Sequence, residues 1–228
     1  MAWRKTFRPL KVTAHLRTGV VADRWLPLDG ILLYQISKLN SVEQYATLPG
    51  GDDRECHQSM PLAVVHPGER NWYYACSWAQ PQPWWFAEGC DHWNKRFDTM
   101  YSDLIDFGGR RGNVLIEKGR YKSYHMPVYY RIAIRIHWYC VGDRDEIEQL
   151  LMTVTHIGKK RVYGWGRVLA WEVTPWHADW SVWRDGRLTR GVPVEDAPSV
   201  TTRLHYGLRP GYYKPANQMT LAMPDERG

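Results

Sequence analysis

The sequence predicts an α+β fold: a ferredoxin-like (RRM-like) βαββαβ palm with an inserted thumb and a β-rich C-terminal extension. Two observations support this. Alternating apolar and polar residues mark strands, and apolar residues at helical spacing mark two helices. These elements follow the order strand, helix, strand, long insertion, strand, helix, strand, which is the order of that fold.

The first half of the palm begins with a strand and a helix. Residues 10–17 (LKVTAHLR) alternate strictly, so that apolar side chains share one face and polar side chains the other. After a turn near Gly19, apolar residues recur at helical spacing from Leu28 to Leu39. The segment NWYYACSW (71–78) is rich in residues that favour strands, and it predicts the second strand.

The second half repeats this pattern. Residues 129–140 (YYRIAIRIHWYC) alternate apolar and polar side chains and predict one half-buried strand. Asp143 begins a capping-box spacing, and the apolar stripe that follows it predicts a helix ending at Gly158. The run RVLAWEVTPW (167–176) predicts the last strand.

These elements divide the chain into three parts. Residues 1–81 and 127–176 form the palm, residues 82–126 the inserted thumb or finger, and residues 177–228 an extension that we expect to pack on the palm. Both helices would cover the isoleucine face of the sheet. Two interpretations of the other face stay open: it binds a ligand, or the extension covers it. The side chains predicted on that face are Lys11, His15, Arg17, Arg131, Arg135, His137 and Tyr139.

The composition favours a nucleic-acid-binding protein. The 228 residues include 13 Trp and 14 Tyr, and the net charge is +6. Cations suit phosphates, and flat rings suit the bases of single-stranded nucleic acid. The alternative is a Trp-rich core beneath a mildly basic surface. The tryptophans that fall on predicted strands are assigned to the core: Trp72, Trp78, Trp138 and Trp171.

Several protein classes are disfavoured. Charged residues make up 24% of the chain and hydrophobic residues 44%, which argues against a disordered chain and a coiled coil. No apolar run approaches the length of a membrane span, and the N-terminus lacks the apolar segment of a signal peptide. We therefore expect a cytoplasmic protein with no membrane partner.

The positive charge is concentrated in two segments. Residues 107–135 contain seven Lys or Arg and one Glu, and residues 158–167 contain four Lys or Arg and no acid. In the second segment, GKKRVYGWGR, glycines would let backbone N–H groups approach an anion, and aromatic rings would stack on bases. The alternative is an ordinary glycine-capped connection. The predicted RNA-binding residues here are Gly158, Lys159, Lys160, Arg161, Tyr163, Gly164, Trp165, Gly166 and Arg167.

The first basic segment lies mostly in the insertion. Residues 107–127 (FGGRRGNVLIEKGRYKSYHMP) predict a β-hairpin or finger, because glycines stand at both candidate turns. The alternative is a solvated, flexible loop. The RNA-binding candidates here and on the open sheet face are Arg110, Arg111, Lys118, Arg120, Lys122, Tyr124, His125, Arg131, Arg135 and His15.

Catalytic and metal chemistry have weaker support. Lys122, Tyr124 and His125 could form a metal-independent RNA-cleaving set, with His as acid or base and Lys stabilising the transition state. This endoribonuclease is the alternative function. We expect no catalytic residue, no metal and no other cofactor. The residues that could supply zinc ligands are irregularly spaced: Cys56, His57, Cys76, Cys90 and His92.

Four features together resemble the CRISPR-associated RAMP superfamily. They are the alternating first strand, LPLDGILLY (26–34) at the first helix, the βαββαβ order and the Gly-rich basic loop before the last strand. Within that superfamily the chain is most similar to the Cas-five-like (Csf-three) subunit of type IV CRISPR effector complexes. WRDGRLTRGVPVED (183–196) and LHYGLRPGYYKPANQ (204–218) are similar to the C-terminal portion of that family.

The resemblance implies a non-enzymatic subunit that binds the 5′ handle of the crRNA and caps one end of a helical complex. It also implies contacts with a Cas-seven-like backbone subunit, with a large Cas-eight-like subunit, and with target DNA near the protospacer-adjacent motif. Related subunits of another subtype cleave RNA, so His125 keeps its alternative role. Carried over to this chain, the handle-binding loop is Gly158, Lys159, Lys160, Arg161, Gly164 and Gly166.

Overall fold

A computed structural model describes residues 7–23, 25–39, 59–83, 85, 87–106, 108 and 114–225. Their helices are α1 (Leu28–Leu39) and α2 (Arg144–Met152). Their strands are β1 (Arg8–Leu16), β2 (Val64–Val65), β3 (Tyr73–Tyr74), β4 (Gln80–Gln82), β5 (Ala87–Lys95), β6 (Tyr124–Ile132), β7 (Arg135–Gly142), β8 (Val168–Pro175), β9 (Trp183–Arg184), β10 (Arg187–Leu188), β11 (Val192–Pro193), β12 (Arg203–Gly207) and β13 (Gln218–Ala222). Short 3-10 helices span Thr99–Leu104, Gly119–Tyr121, Arg161–Tyr163, Val194–Asp196 and Pro215–Asn217. The fold is α+β, as predicted.

A four-stranded antiparallel sheet forms the centre of the molecule, in the order β4-β7-β1-β8. β1 lies between β7 and β8, with Val12 opposite Trp138 on one side and Val173 on the other. The strands predicted over 10–17 and 167–176 are confirmed, because strict alternation specifies which side chains face the core.

Both helices cover the same face of this sheet. α1 buries Leu28, Leu32 and Ile36, as its spacing predicts, and α2 buries Ile147 and Leu151. Burying each of these large apolar side chains contributes about 1.5–3 kcal/mol. The sheet supplies the opposing layer with Leu10, Val12, Ala14, Leu16, Ile136, Trp138 and Cys140.

The prediction of one strand over 129–140 is wrong, because the chain forms two strands that belong to different sheets. β6 ends at Ile132 and pairs with β5, whereas β7 begins at Arg135 and pairs with β1. Ile134, at the break, is 56% exposed. The isoleucines alternate from β6 into β7, although the strand that the chain pairs with changes. Arg131 lies in β6 and therefore does not share the open face of the central sheet.

The predicted second strand, 71–78, is mostly irregular. Within it, only β3 is a regular strand, and Cys76 and Trp78 form isolated bridges to Cys140 and Pro27. The strand that completes the central sheet is β4. Its Pro81 has no backbone N–H, which suits a strand at the edge of a sheet.

The prediction that α2 ends at Gly158 is also wrong. Asp143 caps the helix as predicted, accepting the backbone N–H of Glu146 at 3.2 Å, but the helix ends at Met152. Residues 155–157 instead form backbone bonds with residues 166–168, which lead into β8. The apolar stripe is longer than the helix because the chain stays in the core after it leaves the helical conformation.

The insertion between β4 and β7 is a long β-hairpin. Its strands β5 and β6 pair from Ala87 opposite Ile132 to Lys95 opposite Tyr124. The hairpin predicted within 107–127 is therefore wrongly placed, since most of that range lies in the connection between the two strands. The paired part also extends beyond residue 126, into the range predicted for the palm.

The C-terminal extension is β-rich and has a second small core. β11, β13 and β12 form a three-stranded antiparallel sheet, and β9 pairs with β10. Leu188, Val192 and Leu221 pack together with Trp78 of the preceding segment. Trp78 therefore connects the extension to the rest of the molecule.

The extension covers one end of the sheet face that lies opposite the two helices. Tyr139 of β7 packs against Trp176 and Trp180, with ring centroids 5.6 and 5.0 Å apart. Lys11 Nζ lies 4.9 Å from the centroid of the Trp176 ring. Arg135, at the other end of the face, stays exposed. Neither helix that the structure describes is long and apolar enough to cross a membrane.

Candidate nucleic-acid interface

The Gly-rich basic loop, residues 158–167, connects α2 to β8 and is bonded to the segment that follows β1. The Gly166 N–H donates to the Gly19 carbonyl at 2.8 Å, and the Arg167 N–H donates to Thr18 Oγ1 at 2.9 Å. These bonds fix the loop at the end of the central sheet, beside the start of α1.

Packing constrains one glycine of the loop, and part of the loop amides bond within the protein. Gly166 has a φ of 69°, and a Cβ there would lie 1.9 Å from the Ile157 carbonyl oxygen. Close packing therefore requires this glycine. The amides already bonded within the protein are those of Lys159, Tyr163, Gly164, Gly166 and Arg167.

Two cations of the loop lie on aromatic rings. Lys160 Nζ is 4.4 Å from the centroid of the Trp93 ring, and the Arg161 guanidinium is 4.7 Å from that of Tyr34. A ring face orients a cation without cancelling its charge. Among the described residues, no carboxylate lies within ion-pair distance of either cation. Both remain available to a phosphate.

The other two cations of the loop are exposed and differ in their partners. Lys159 pairs with Asp23, with 2.9 Å between Nζ and Oδ1. Arg167 has no carboxylate within ion-pair distance in the part of the chain that the structure describes. Within the described part of the chain, the loop thus presents one cation with a carboxylate partner and three without one.

The aromatic residues of the loop pack against the hairpin. Trp165 stacks on Tyr130 of β6 with centroids 4.4 Å apart, so one face of its ring is occupied. Tyr163 contacts Trp93 of β5, and Trp93 contacts Tyr124 of β6, at 5.5 and 4.8 Å. The structure therefore brings Tyr163 and Tyr124 to the same tryptophan, whereas Trp165 contacts the hairpin at Tyr130. Tyr163 is 55% exposed and retains area on which a base could stack.

The remaining basic candidates of the insertion lie elsewhere on the hairpin. Lys118, Arg120 and Lys122 are exposed in the connection between its strands. Arg131, near its base, pairs with Glu88 at 2.8 Å. Arg110 and Arg111 lie outside the described residues.

Two of the three residues predicted as an RNA-cleaving set, Tyr124 and His125, are consecutive in β6 and line the same cavity. His125 stacks on His92, with centroids 4.3 Å apart and planes 12° apart, and its Nδ1 bonds to the side-chain oxygen of Asn94. Lys122 precedes the strand.

The open end of the central sheet carries the other predicted contacts. His15 and Arg135 lie opposite each other in register, and His15 Nε2 is 2.9 Å from Glu172 Oε1. Burial lowers the pKa of Lys11, as do the neighbouring charges of Arg135 and Arg184. This face of the sheet is therefore positively charged, although Glu172 lies beside His15.

His137 lies between these cations and is neutral. Burial, and then Lys11 and Arg135, lower its pKa to about 4. Its Nε2–H donates to Gln82 Oε1 at 2.6 Å, and the Thr13 hydroxyl donates to Nδ1 at 2.9 Å. Both ring nitrogens are thus satisfied without a positive charge, so His137 has a structural role.

The residues that could supply zinc ligands do not form a site in the described part of the chain. No group of three His, Cys, Asp or Glu side chains there could hold a metal ion. Cys76 is buried and Cys90 is exposed. Cys56 and His57 lie outside the described residues.

Four residues that contact predicted site residues are not themselves predicted from the sequence: Asp23 (on Lys159), Tyr34 (on Arg161), His92 (on His125) and Lys95, whose Nζ lies 5.8 Å from the Tyr124 ring. Each comes from a segment distant in sequence from the residue it contacts. Tyr34 carries a weak signal, because an aromatic side chain on the polar face of an amphipathic helix is unusual.

A comparison with protein families decides the relationship of this chain. The family model for the CRISPR type IV associated protein Csf3 matches residues 8–224. The chain belongs to the Csf3 family. This confirms the resemblance found in the sequence. A search of curated proteins found no match. Csf3 proteins belong to type IV CRISPR systems, so this chain is a subunit of a multisubunit complex.

The sequence blocks that resemble the Csf3 family most specifically meet in a buried network. Asp29, from LPLDGILLY, accepts a hydrogen bond from the Tyr212 hydroxyl through Oδ1 at 2.5 Å. Arg190 Nη1 lies 3.7 Å from Asp29 Oδ2. Asp29 and Arg190 are both 0% exposed. Burial and the nearby Asp29 raise the pKa of Tyr212. These Csf3 blocks therefore join α1 to the C-terminal extension. Arg190 also donates to the carbonyls of Tyr74, Cys76 and Leu208.

Proposed function

We propose that this chain binds and caps the 5′ handle of the crRNA in a type IV CRISPR complex and has no catalytic role of its own. The observation that carries the proposal is the pair Lys160 and Arg161. Both are oriented by aromatic rings, and neither has a carboxylate partner among the described residues. Unneutralised cations beside exposed rings suit single-stranded nucleic acid.

The charges beside the loop extend this surface. Arg167 is exposed at the start of β8, and Arg135 is exposed at the same end of the central sheet. In the proposal these cations bind successive phosphates, and the exposed ring of Tyr163 stacks on a base. The hairpin forms the second wall, because its Trp93 and Tyr130 contact the loop.

The arrangement of the molecule also supports an architectural role. We propose that the central sheet and its two helices are a ferredoxin-like palm of the RAMP type and that the hairpin is its thumb. The sheet order β4-β7-β1-β8, with both helices on one face, is consistent with that fold. The proposed partners are a Cas-seven-like backbone subunit, a large Cas-eight-like subunit and target DNA near the protospacer-adjacent motif, within a cytoplasmic complex.

The proposal is tested by removing the charge of the loop. We expect the variant Lys159→Ala/Lys160→Ala/Arg161→Ala to bind repeat-derived RNA about 10- to 100-fold more weakly, because phosphate contacts are lost. Each lost contact to a single strand lowers the slope of log K against log salt by about 0.7. Fluorescence anisotropy at several salt concentrations measures both quantities.

A matched control keeps the change in net charge the same. The variant Arg8→Ala/Lys38→Ala/Arg203→Ala also removes three exposed cations, but outside the loop. We expect its RNA affinity and salt slope to stay close to those of the wild type. Equal losses in the two variants would mean that RNA responds to overall charge and would reject the loop as the site.

A second candidate function, metal-independent RNA cleavage, is favoured by one observation. His92 and His125 place two imidazoles side by side on one face of the hairpin, and an imidazole pair can supply an acid and a base. Under this alternative, purified protein cuts repeat RNA in EDTA, and His125→Ala or His92→Ala abolishes cutting. Intact RNA after prolonged incubation with wild-type protein excludes it.

A further inference from the structure

A cavity of about 300 Å³ lies between α1 and the Gly-rich loop. Much of its wall is aromatic and includes Trp25, Tyr34, Tyr206 and Tyr212. The Tyr206 ring lies 5.6 Å from Trp25 in an edge-on contact and 6.3 Å from Tyr212. Since burial and the nearby Asp23 raise the pKa of Tyr206, its phenol is neutral and can both stack and donate a hydrogen bond.

The rim of the cavity is charged, unlike its interior. Arg161 and the ion pair between Lys159 and Asp23 line it on the side of the loop, and the Arg161 guanidinium lies over the Tyr34 ring. Gln35 of α1, which is 5% exposed, lines it as well. Flat rings inside, a buried amide and cations at the mouth match the parts of a nucleotide: a base, its polar edge and its phosphates.

We propose that this cavity receives one unstacked base of the bound RNA, with a flanking phosphate on Arg161. The inference rests on the proposed function and adds where one base of the RNA is held. The volume lies at the lower end of the range for ligand sites, so the cavity accommodates one base and not a stack. Gln35 would give it a preference among bases, because an amide offers both a donor and an acceptor.

A substitution at Gly30 can fill the cavity without changing the cations at its mouth. It lies within α1 and lines the cavity, and a Cβ there would be 3.5 Å from both Pro27 and Tyr212, an ordinary contact distance. Ala and Leu both favour a helix more than Gly does. Gly30→Leu therefore fills part of the cavity, and Gly30→Ala is its matched control.

The probe is repeat-derived RNA in which uridines are replaced by 4-thiouridine. After irradiation of wild-type protein, we expect crosslinks at Tyr34 or Tyr206. Gly30→Leu should lose these crosslinks and bind RNA about 5- to 100-fold more weakly, the loss expected for one stacked base. Its salt slope should not change, because its phosphate contacts remain. Gly30→Ala should retain the crosslinks and the affinity.

A second variant protects the test against a folding defect in Gly30→Leu. Tyr34 is 49% exposed, so Tyr34→Ala opens one wall of the cavity from the solvent side, and we expect a similar loss of affinity. Wild-type affinity in both variants, or wild-type crosslinks only outside the cavity, overturns the inference and leaves the proposed function standing. Failure of the wild-type protein to bind the RNA overturns both.

Discussion

Two arginines beside α1 show opposite uses of the same side chain. Arg190 is 0% exposed, lies 3.7 Å from Asp29 and donates to three backbone carbonyls. Arg161 is exposed, rests on the ring of Tyr34 and has no carboxylate partner among the described residues. Asp29 and Tyr34 both belong to LPLDGILLY. This motif therefore contacts the buried Arg190 through Asp29 and the exposed Arg161 through Tyr34.

The difference shows how to separate a structural charge from a binding charge. A buried arginine is tolerated only when its donors and its charge are satisfied inside the protein, and removing its partner is costly. An exposed arginine without a partner adds little stability and keeps its charge for a ligand. The residues from the two sequence blocks that resemble the Csf3 family build the fold, whereas the proposed binding surface consists of more ordinary Lys, Arg and aromatic residues.

The largest effect is expected at the buried arginine. Arg190→Met leaves Asp29 buried without its cation and should lower the free energy of unfolding by about 3–5 kcal/mol. Urea denaturation followed by fluorescence measures this. Arg161→Met is the matched comparison and should change stability by less than about 0.5 kcal/mol while weakening RNA binding. Similar stabilities for the two variants would contradict the distinction.

The next effect is the pH dependence caused by His137. Its folded pKa of about 4 lies below the ordinary value of about 6.5, so the unfolded chain binds the proton more readily. Stability is therefore fully present above pH 6.5 and falls by about 3 kcal/mol as the pH drops toward 4. Urea denaturation across this range measures the slope. His137→Gln should flatten it, and an equal slope in that variant would assign the acid sensitivity to other groups.

A smaller effect is expected where the hairpin docks on the loop. Trp93→Ala removes the contacts with Tyr163 and Tyr124 and the ring beneath Lys160, at a cost of about 1 kcal/mol. We expect amide hydrogen exchange in β5 and β6 to become faster in this variant, which measures the loss of these contacts. Tyr129→Ala, at a site on β6 that is 72% exposed, is the control and should leave exchange unchanged. Unchanged protection in Trp93→Ala would mean that the aromatic contacts do not hold the hairpin.

Helices and strands that are determined by a local sequence pattern could be predicted. A strand boundary that arises because the chain pairs with a different strand could not. β1, α1, β8 and the Asp143 cap follow from alternation, spacing and capping, which act over a few residues. The break near Ile134 leaves no trace in the alternation, because the apolar and polar residues alternate through β6 and into β7 although the two strands belong to different sheets. Trp78 and Trp138 are buried, as predicted, and Trp72 and Trp171 pack against the core.

The positive charges of the candidate surface could be predicted from the sequence, but the contacts between its side chains could not. Counting Lys and Arg identifies residues 158–167, since charge is a property of composition. That Trp165 already stacks on Tyr130, and that Asp23 pairs with Lys159, depends on segments far apart in the sequence. Glycine content suggested a cradle of amides, but the tight approach of Gly166 to Ile157 shows that packing requires this glycine.

The smallest effect concerns the one paired cation of the loop. Asp23→Asn releases Lys159 from an exposed ion pair, so the free energy of unfolding should change by less than about 1 kcal/mol. RNA affinity should instead rise about two- to three-fold, and the salt slope should steepen by up to about 0.7, because Lys159 becomes free to contact a phosphate. Adding Lys159→Ala should cancel both gains. If Asp23→Asn weakened binding instead, Asp23 would itself contact the RNA, and the loop would not act through its cations alone.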